Sequence, residues 1–277
     1  MKKIGIMTIN YNNLEGLKKT FESVNKQTFK DFEYVVVDGN SSDGSAEYIL
    51  KNKEIVDKYL IEEDRGIYDA LNKGIELCNT EYILALNSGD TLTNKEVLNK
   101  VKREIDLLKE PVGVLYGKAV YTLNEEKTGW KWPSIEGEFD EESWVKNYNP
   151  NHQASFINRN IYNKEKYNLL FKSSGDGEFW KRIKKLGYKF KYFDKEVSYF
   201  ELGGISNTSA SLKHVQLISS ERAIIDTIYS KKNILNAYLE NYLNQLIKFI
   251  LKKVLGEKKY YLSLKLKNEK RQRKYIK

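Results

Sequence analysis

Short apolar runs alternate with helix-period segments through the first half of the chain, and this alternation limits the possible fold more than any other feature. The runs are apolar at nearly every position, as expected of strands that are buried on both faces. Strands of this kind alternating with helices predict an α/β fold, in which helices cover both faces of a mostly parallel, Rossmann-like sheet. The predicted strands are residues 3–9, 32–37, 59–62 and 82–86, and the predicted helices are residues 14–26, 46–51, 67–78 and 95–108.

The second half of the chain is less regular. Residues 130–148 are rich in aromatic and acidic side chains, and we interpret them as a loop region. The other predicted elements are a strand pair within 112–123, strands at 154–157, 190–193 and 197–200, and helices at 177–186 and 211–229.

Two of the predicted strands lead into a lone acid followed or preceded by small polar residues. Asp38 follows the second strand in "EYVVVDGNSSDGS", and Asp90 ends "LNSGD" after the fourth. Ligands bind beyond the carboxyl ends of the strands in such sheets, so two acids at one rim predict a binding site. The alternative is that both acids cap loops or helices, where Asp is common.

Motifs for several other kinds of site are absent from the sequence. There is neither a Walker-type glycine loop nor a dinucleotide G-x-G-x-x-G pattern. One cysteine (Cys78) and two histidines are too few for a typical zinc site. The remaining carboxylates and amides suit Mg2+ or Mn2+ shared with a diphosphate, and Asp90 alone would suffice as the protein ligand.

The positive charge of the chain is confined to its C-terminal part. Residues 233–277 carry 12 basic and 3 acidic side chains and so account for the whole net charge of +9. Residues 1–232 are balanced, which argues against nucleic acid as a partner. The single cysteine excludes a disulfide framework and fits a reducing compartment. With neither a signal peptide nor an apolar run long enough to span a bilayer, we expect a cytoplasmic protein that is soluble or peripheral.

The basic segment also carries an apolar stripe at helical spacing. Apolar residues recur at positions 243, 246, 247, 250, 251 and 254, and Gly256 is a plausible helix stop. Three uses of this helix are open: docking on the rest of the chain, burial against a second copy in a homodimer, or contact with an anionic membrane surface. We favour the membrane, because the cluster 265–277 adds charge that docking does not need.

Several motifs occur together in an order typical of one enzyme family. "IGIMTINYNNLEGLKKTFESVNKQTFKDFEYVVVDGNSSDGS" and "EEDRGIYDALNKGIELCNTEYILALNSGD" resemble family 2 glycosyltransferases of the GT-A fold, in a branch that makes bacterial colanic-acid-like polysaccharides. The resemblance continues through "NHQASF", "SSGDGEFW" and "GGIS" to about residue 206. It implies that residues 1–232 are a GT-A glycosyltransferase domain and that residues 233–277 are a basic amphipathic helical tail.

The resemblance implies a nucleotide-sugar site on the loops that follow the first four strands. Asp38 matches the acid that hydrogen-bonds the base or ribose. The other matching positions are Ile9 and Tyr11 beside the base, and Arg65, Asp69 and Asn72 along the nucleotide and sugar; Arg65 could equally be a surface ion pair. Asp90 matches the metal ligand, although Asn87 and Ser88 stand where many relatives have an acid.

Catalytic and acceptor positions follow from the same resemblance. Asp176 in "SSGDGEFW" matches the base that takes the proton from the acceptor hydroxyl in an inverting transfer, with Glu178 as second choice and helix capping as the alternative. His152 and Gln153 match a pair near the acceptor. Trp180, like the other tryptophans, could stack on a sugar ring, although core packing is commoner. "GGIS" (203–206) could approach the diphosphate or form a plain turn.

The sequence therefore predicts an inverting glycosyltransferase. It would move a sugar from a nucleoside-diphosphate-sugar donor to a saccharide, often lipid-linked in this family, in bacterial surface polysaccharide synthesis. One rival is a sugar nucleotidyltransferase, although "NYNNLEGLKK" is a poor version of its glycine-rich loop. The other is a non-catalytic protein that binds a nucleotide-sugar or scaffolds a membrane complex.

Overall fold

The structure is a computed structural model that describes residues 1–135, 138–202 and 211–276. Along the chain its elements are β1 (Lys2–Asn10), α1 (Leu14–Asn25), β2 (Phe32–Asp38), α2 (Ser45–Lys51), β3 (Lys58–Ile61), α3 (Ile67–Leu77), β4 (Thr80–Ala85), β5 (Thr91–Leu92), α4 (Val97–Asp106), β6 (Val114–Leu123), β7 (Glu126–Trp132), α5 (Glu141–Asn147), β8 (Ser155–Asn158), α6 (Arg159–Tyr162), α7 (Gly175–Lys185), β9 (Phe190–Glu201), α8 (Leu212–Ser230), α9 (Ile234–Leu255) and α10 (Glu257–Gln272).

Within the described residues all nine strands belong to one sheet, in the order β3-β2-β1-β4-β8-β6-β9-β5, with β7 added to β6. Strands β1 to β4 are parallel, as expected from the first half of the sequence. Strand β8 runs antiparallel to both β4 and β6, while β6 and β9 are parallel. The predicted α/β architecture is confirmed, and its parallel half places the ends of four strands at one rim.

Alternate residues of the central strands pack on opposite faces of the sheet. Ile4 and Ile6 of β1 belong to a core cluster with Leu17 and Phe21 of α1. Met7, on the other face, belongs to a cluster that includes residues of α3 and α7. Fully burying one such side chain contributes ~1.5–3 kcal/mol, so both faces stabilise the sheet. This two-sided burial explains why the strands are apolar at nearly every position.

The second half departs from the sequence prediction in three places. The expected strand pair within 112–123 is the single strand β6, and its hairpin partner β7 follows it and ends inside the region 130–148 that was interpreted as a loop. Asn124 and Glu125 form the two-residue turn with φ values of 50° and 66°. Glu rarely adopts positive φ, so this turn carried no clear sequence signal. Helix α5 lies in the same supposed loop, and β9 is one continuous strand rather than two.

The C-terminal helices pack back onto the rest of the chain. Helix α9 lies against α8, burying Ala237 and Gln245. Helix α10 buries Tyr260 and Tyr261 in a cluster with Trp130 of β7. Residues 233–276 are therefore docked on the sheet and its helices, while the division into domains at residue 232 stays a prediction.

The predicted apolar stripe of α9 is largely exposed. Its exposed members range from 41% for Leu251 to 74% for Val254, with Leu243, Ile247 and Ile250 between them. We call these five residues the α9 stripe. Docking of this helix thus leaves its stripe uncovered. None of the described helices is both long enough and apolar enough to span a bilayer.

Candidate active site

A cleft of about 1830 Å³ lies at the carboxyl ends of the four parallel strands. One side, which we call the strand-end wall, consists of residues 9–13, 39–40, 63–64 and 87–91 from the loops that follow these strands. A second side, the helix wall, consists of Tyr68, Gln153, Lys172 and Ser173. The ends of β6 and β9 close the cleft, together with Glu257, the first residue of α10. The cleft lies where the sequence predicted a site.

Asp38 is fully buried and organises the strand-end wall. Its Oδ2 accepts hydrogen bonds from Asn10 Nδ2 (2.7 Å) and Ser41 Oγ (2.9 Å), and its Oδ1 accepts one from the Ser41 backbone N–H (2.7 Å). Ser41 Oγ in turn accepts the Asn12 backbone N–H at 2.8 Å. The carboxylate thus joins the loop after β1 to the loop after β2. Direct contact of Asp38 with a nucleotide stays a prediction.

Tyr11 presents an open aromatic face to the cleft. Its side chain is 66% exposed, and Ile9, which is buried, also lines the cleft. A Cβ placed on Gly39 would lie 3.0 Å from Tyr11 Cδ2 and 2.6 Å from Asp64 Oδ2. Glycine at position 39 therefore allows the backbone to lie between an exposed ring and a carboxylate. An aromatic ring and an acceptor so close together suit a nucleobase or a ribose.

Arg65, Asp69 and Asn72 have protein partners, and none of them lines the cleft. Arg65 pairs with Asp69 through its backbone N–H (3.0 Å) and its Nη2 (3.2 Å). Burial acts to raise the pKa of Asp69, but these bonds and the charges of Arg65 and Lys73 hold that pKa below its usual value. The structure thus shows the ion pair that the sequence left open for Arg65.

Asn72 fastens α3 to a distant loop. Its Nδ2 donates to the Tyr167 carbonyl and its Oδ1 accepts the Tyr167 backbone N–H, both at 2.9 Å. Both ends of the amide are therefore used within the protein. A contact of Arg65, Asp69 or Asn72 with a sugar donor stays a prediction. In the absence of a ligand, these side chains stabilise the protein through their hydrogen bonds.

Asp90 lies on the strand-end wall and faces a second acid. The Glu201 backbone N–H donates to its Oδ1 at 3.4 Å. Burial, aided by the nearby charge of Glu201 and opposed by the hydrogen bond from the Glu201 backbone N–H, raises the pKa of Asp90 to about 8. Both residues line the cleft, and the Glu201 carboxylate accepts hydrogen bonds from the Thr122 hydroxyl (2.5 Å) and the Glu125 backbone N–H (3.3 Å). The Asp90 backbone is held in place by Thr20 of α1, whose hydroxyl donates to its carbonyl at 2.8 Å.

The donor atoms around Asp90 fit a hard divalent cation. Asn87 Oδ1 is buried and has no hydrogen-bond partner among the described residues, and the same is true of Asn10 Oδ1. Carboxylate and amide oxygens are the ligands that Mg2+ and Mn2+ prefer, with substrate phosphates completing the shell. In the described parts of the chain no group of three or more His, Cys, Asp or Glu forms a complete metal site. The predicted "GGIS" segment, 203–206, lies outside the described residues.

Asp176 is exposed beside the helix wall, in the first turn of α7. Ser174 is the N-cap residue of this helix, so the alternative that Asp176 is the cap does not hold. The Tyr68 hydroxyl lies 3.4 Å from Asp176 Oδ1, and the Tyr68 ring lines the cleft. An exposed carboxylate at the edge of the cleft could take a proton from a bound hydroxyl group.

Glu178, the second choice for a base, is engaged elsewhere. It is buried, and its carboxylate accepts hydrogen bonds from Arg182 Nε (2.9 Å), Arg182 Nη2 (3.0 Å) and the Tyr229 hydroxyl (2.5 Å). A carboxylate held by a guanidinium and a phenol inside the protein is poorly placed to reach a substrate.

His152 and Gln153 differ in their access to the cleft. Gln153 lines it, whereas His152 is buried behind it with Nε2 at 2.6 Å from the Tyr167 hydroxyl. Burial lowers the pKa of His152 to about 4, although the charge of Asp176 opposes this shift, so the imidazole is neutral near pH 7. Of the predicted pair, only Gln153 can touch a ligand in this arrangement.

Trp180 does not offer a face to a sugar. It is 2% exposed and packs among His152, Phe179 and Phe190 in the core. Trp130 and Trp144 are buried as well, and Trp132 donates its Nε1 hydrogen to the Asn149 carbonyl. The expectation that Trp180 lies on the acceptor side is corrected: the interior position of its helix face makes it a core residue.

Sequence reasoning missed Asp64, Tyr68 and Glu201. Asp64 and Tyr68 lie inside the motif "EEDRGIYDALNKG", but nothing in that motif separates them from Arg65, Asp69 and Asn72. Glu201 ends β9, and its place opposite Asp90 depends on the pairing of β9 with β5. The acid at the end of a strand was a usable signal, since the same signal identified Asp38 and Asp90.

Comparison with known sequences identifies glycosyltransferases as relatives of this chain. A model of glycosyl transferase family 2 matches residues 6–176, more than half of the chain. A PGL/p-HBAD biosynthesis glycosyltransferase of Mycobacterium tuberculosis is 30% identical over 198 residues, which cover 69% of this chain and 74% of that protein. An uncharacterized glycosyltransferase of Methanocaldococcus jannaschii is 27% identical over 228 residues, covering 78% of this chain and 76% of that protein.

Solved structures share the fold. TarS 1–349 of S. aureus in complex with UDP-GlcNAc matches with a TM-score of 0.61 and 19% identity, covering 89% of this chain and 73% of that one. The mannosyltransferase PcManGT from Pyrobaculum calidifontis in complex with GDP-Man and Mn2+ matches with a TM-score of 0.61 and 13% identity, covering 95% and 78%. These likenesses confirm the predicted GT-A architecture.

Proposed function

We propose that this chain, which belongs to glycosyl transferase family 2, transfers a sugar with inversion. The donor in this proposal is a nucleoside-diphosphate-sugar, and the acceptor is a saccharide. The observation that carries the proposal is the arrangement of the cleft. Its strand-end wall offers the aromatic ring of Tyr11 and the carboxyl group of Asp90, Glu201 lines the cleft at the end of β9, and an exposed carboxylate, Asp176, lies beside the helix wall. The relatives bound to UDP-GlcNAc and to GDP-Man support a donor of this class.

Asp176 acts as the base in the proposed reaction. It takes the proton of the acceptor hydroxyl while that oxygen bonds to the anomeric carbon of the donor. The bond between this carbon and the diphosphate oxygen breaks at the same time, and the nucleoside diphosphate leaves with the electron pair. Attack from the face opposite the leaving group inverts the configuration of the anomeric carbon.

The strand-end wall holds the donor. Tyr11 stacks on the base, with Ile9 beside it, and Asp38 fixes the loop and is the proposed partner of the base or ribose. Asp90 and Glu201 would hold a divalent cation together with the diphosphate. When bound, the cation neutralises charge on the leaving diphosphate as a Lewis acid. The Mn2+ in the complex of the mannosyltransferase relative supports this assignment.

The acceptor is proposed to be a lipid-linked saccharide used in bacterial surface polysaccharide synthesis, met at the inner face of the cell membrane. The α9 stripe is exposed along the helix. A cavity of about 590 Å³ is lined by Tyr148 and by four cations of the C-terminal segment: Lys267, Lys270, Arg271 and Lys274. Each basic side chain near an anionic leaflet contributes ~1 kcal/mol, and an apolar stripe adds burial.

Membrane contact is tested by co-sedimentation with vesicles of phosphatidylcholine, with and without phosphatidylglycerol. We expect binding only to the anionic vesicles, and loss of binding when Leu243, Ile247 and Ile250 are changed to Ser. Equal behaviour of the two proteins would exclude the α9 stripe as a membrane contact. A concentration-dependent dimer that the same change dissolves, measured by analytical ultracentrifugation, would assign the stripe to a second copy instead.

Donor turnover tests the catalytic proposal. A panel of UDP-, GDP- and dTDP-sugars is presented with Mn2+ or Mg2+, first alone and then with a lipid-linked saccharide, and nucleoside diphosphate release is measured. We expect release from one donor class that depends on the cation. Release of pyrophosphate from a sugar phosphate and a nucleoside triphosphate would favour a nucleotidyltransferase. Binding of a donor without any transfer, acceptor present, would favour the non-catalytic rival.

A further inference from the structure

Five successive backbone N–H groups ahead of and within the first turn of α7 are held by two side chains from distant parts of the chain. The Glu221 carboxylate of α8 accepts the N–H groups of Lys172, Ser173 (3.0 Å) and Ser174 (2.8 Å). The Tyr68 hydroxyl of α3 accepts those of Gly175 (2.8 Å) and Asp176 (3.2 Å). We call these two side chains and the five amides the loop clamp.

The contacts of the loop clamp are close, and its two central hydrogen bonds, to the amides of Ser174 and Gly175, are buried. Glu221 is 5% exposed, and a carboxylate buried to this extent is stable only when several donors surround it. A Cβ placed on Gly175 would lie 2.7–2.8 Å from Tyr68 Cε2 and Cζ, so the backbone touches the ring directly. Glycine is therefore required at position 175 for the hydroxyl of Tyr68 to reach both amides.

The free N–H groups at the start of a helix normally attract an anion. Here Glu221, a side chain of the same chain, supplies that anion to the segment just before α7. The amides of 172–176 are consequently occupied within the protein. What they gain is a fixed position relative to α8 and α3, and Asp176 is part of the segment that is fixed.

We propose that Glu221 and Tyr68 are positioning residues for the base, a proposal that rests on the assignment of Asp176 as that base. Tyr68 touches both the cleft and Asp176, so it sets the distance between bound substrate and carboxylate. Glu221 has no place on the cleft wall and acts only through the segment it holds. Because transfer requires close alignment of reacting atoms, loosening the clamp lowers the rate constant of transfer and leaves donor binding intact.

The principal test is Glu221→Gln. The amide keeps one acceptor oxygen and turns its NH2 group toward backbone N–H groups, which breaks the clamp at constant side-chain size. We expect kcat to fall about 10- to 100-fold, while the donor Kd measured by calorimetry stays within about twofold. Glu33→Gln is the matched control: Glu33 is also buried and also accepts a backbone N–H, that of Asn79, but it lies at the start of β2, far from the rim.

A double-mutant cycle separates positioning from a general loss of structure. If Glu221 acts through Asp176, Glu221→Gln has no further effect on the residual rate of an Asp176→Asn protein. A full additional loss in that background would refute the proposal. Tyr68→Phe, which removes a single oxygen atom, gives the same readouts should Glu221→Gln not fold, and the expected signature is again a lower kcat at unchanged donor Kd.

The outcomes separate this proposal from the one on which it rests. An inactive Asp176→Asn protein together with a folded, fully active Glu221→Gln protein would refute the clamp alone. A fully active Asp176→Asn protein would refute the base and the clamp together. A fall in kcat for Glu221→Gln that vanishes in the Asp176→Asn background supports both.

Discussion

The strand-end wall of the cleft is held by bonds between loops that follow neighbouring strands, whereas the helix wall is held by contacts between helices far apart along the chain. Asp38 accepts a hydrogen bond from Asn10, which lies beside it because β1 and β2 are paired in register, and from Ser41 three residues further along its own loop. The segment 172–176 instead depends on Glu221 and Tyr68, 47 to 108 residues away. The proposed donor site is thus supported by the sheet, and the proposed base is supported by the packing of helices.

The largest effect should come from Asp176, beside the helix wall. Asp176→Asn removes the proposed base without changing its size, and we expect transfer to fall about 10²- to 10⁴-fold, the usual contribution of a general base. The donor Kd should stay within about twofold, since the strand-end wall is untouched. Single-turnover kinetics and calorimetry check both halves of this expectation, and a weaker donor affinity would show that the two walls are not separate.

On the strand-end wall, Asp90→Asn should have the next largest effect. Loss of one cation ligand removes several kcal/mol of charge stabilisation at most, so we expect transfer to fall about 100-fold. The Mn2+ concentration needed for half-maximal rate should rise, and a chelator should abolish transfer by the unchanged protein. Full activity of the unchanged protein in excess chelator would contradict the cation assignment.

Tyr11→Ala should act on donor binding alone. Stacking of an aromatic ring on a base is worth ~1–3 kcal/mol, so we expect the donor Kd to rise about tenfold. Tyr11→Phe keeps the ring and is the control, with Kd close to that of the unchanged protein. Calorimetry with the nucleoside diphosphate checks this, and equal losses for Ala and Phe would point to the hydroxyl rather than the ring.

The smallest functional effect is expected at Asn72, which belongs to α3 yet ties that helix to the 167 loop. Asn72→Ala leaves the Tyr167 N–H and carbonyl without their partner, so the free energy of unfolding should fall by about 1–3 kcal/mol. Donor Kd should be unchanged. Denaturant unfolding measures the free energy of unfolding, and calorimetry measures the donor Kd. A higher donor Kd at an unchanged free energy of unfolding would favour the binding role implied by the resemblance.

The sequence predicted the strand-end wall well because each feature there is local. Apolar runs locate β1 to β4 to within about three residues, and the two acids lie at the end of β2 and in the loop after β4 as expected, although only Asp90 lines the cleft. Local sequence features do not, however, show which residue of a motif faces the cleft. Tyr68 does and Asp69 does not, because the answer depends on the rotation of α3 against the sheet.

The helix wall and the helices that support it could be predicted only in part. Asp176 was found through its motif, but Glu221 carries no local signal: it is one glutamate in a helix, and its role arises from packing of α8 on the 172–174 segment. Trp180 was misjudged for the same reason, since its burial depends on β9 and His152. The hairpin at Asn124 and Glu125 escaped because its turn lacks glycine.

The loop clamp has a consequence for the local opening of residues 172–176. Amides in an irregular segment beside a cleft usually exchange their hydrogens with solvent quickly, because such segments open on their own. Here each amide of 172–176 donates to Glu221 of α8 or to Tyr68 of α3, so we expect its deuterium uptake to be slower than that of an amide open to solvent. The position of the Asp176 carboxylate therefore depends on the packing of α8 and α3. The substrate must move to this carboxylate, because the carboxylate is held in place.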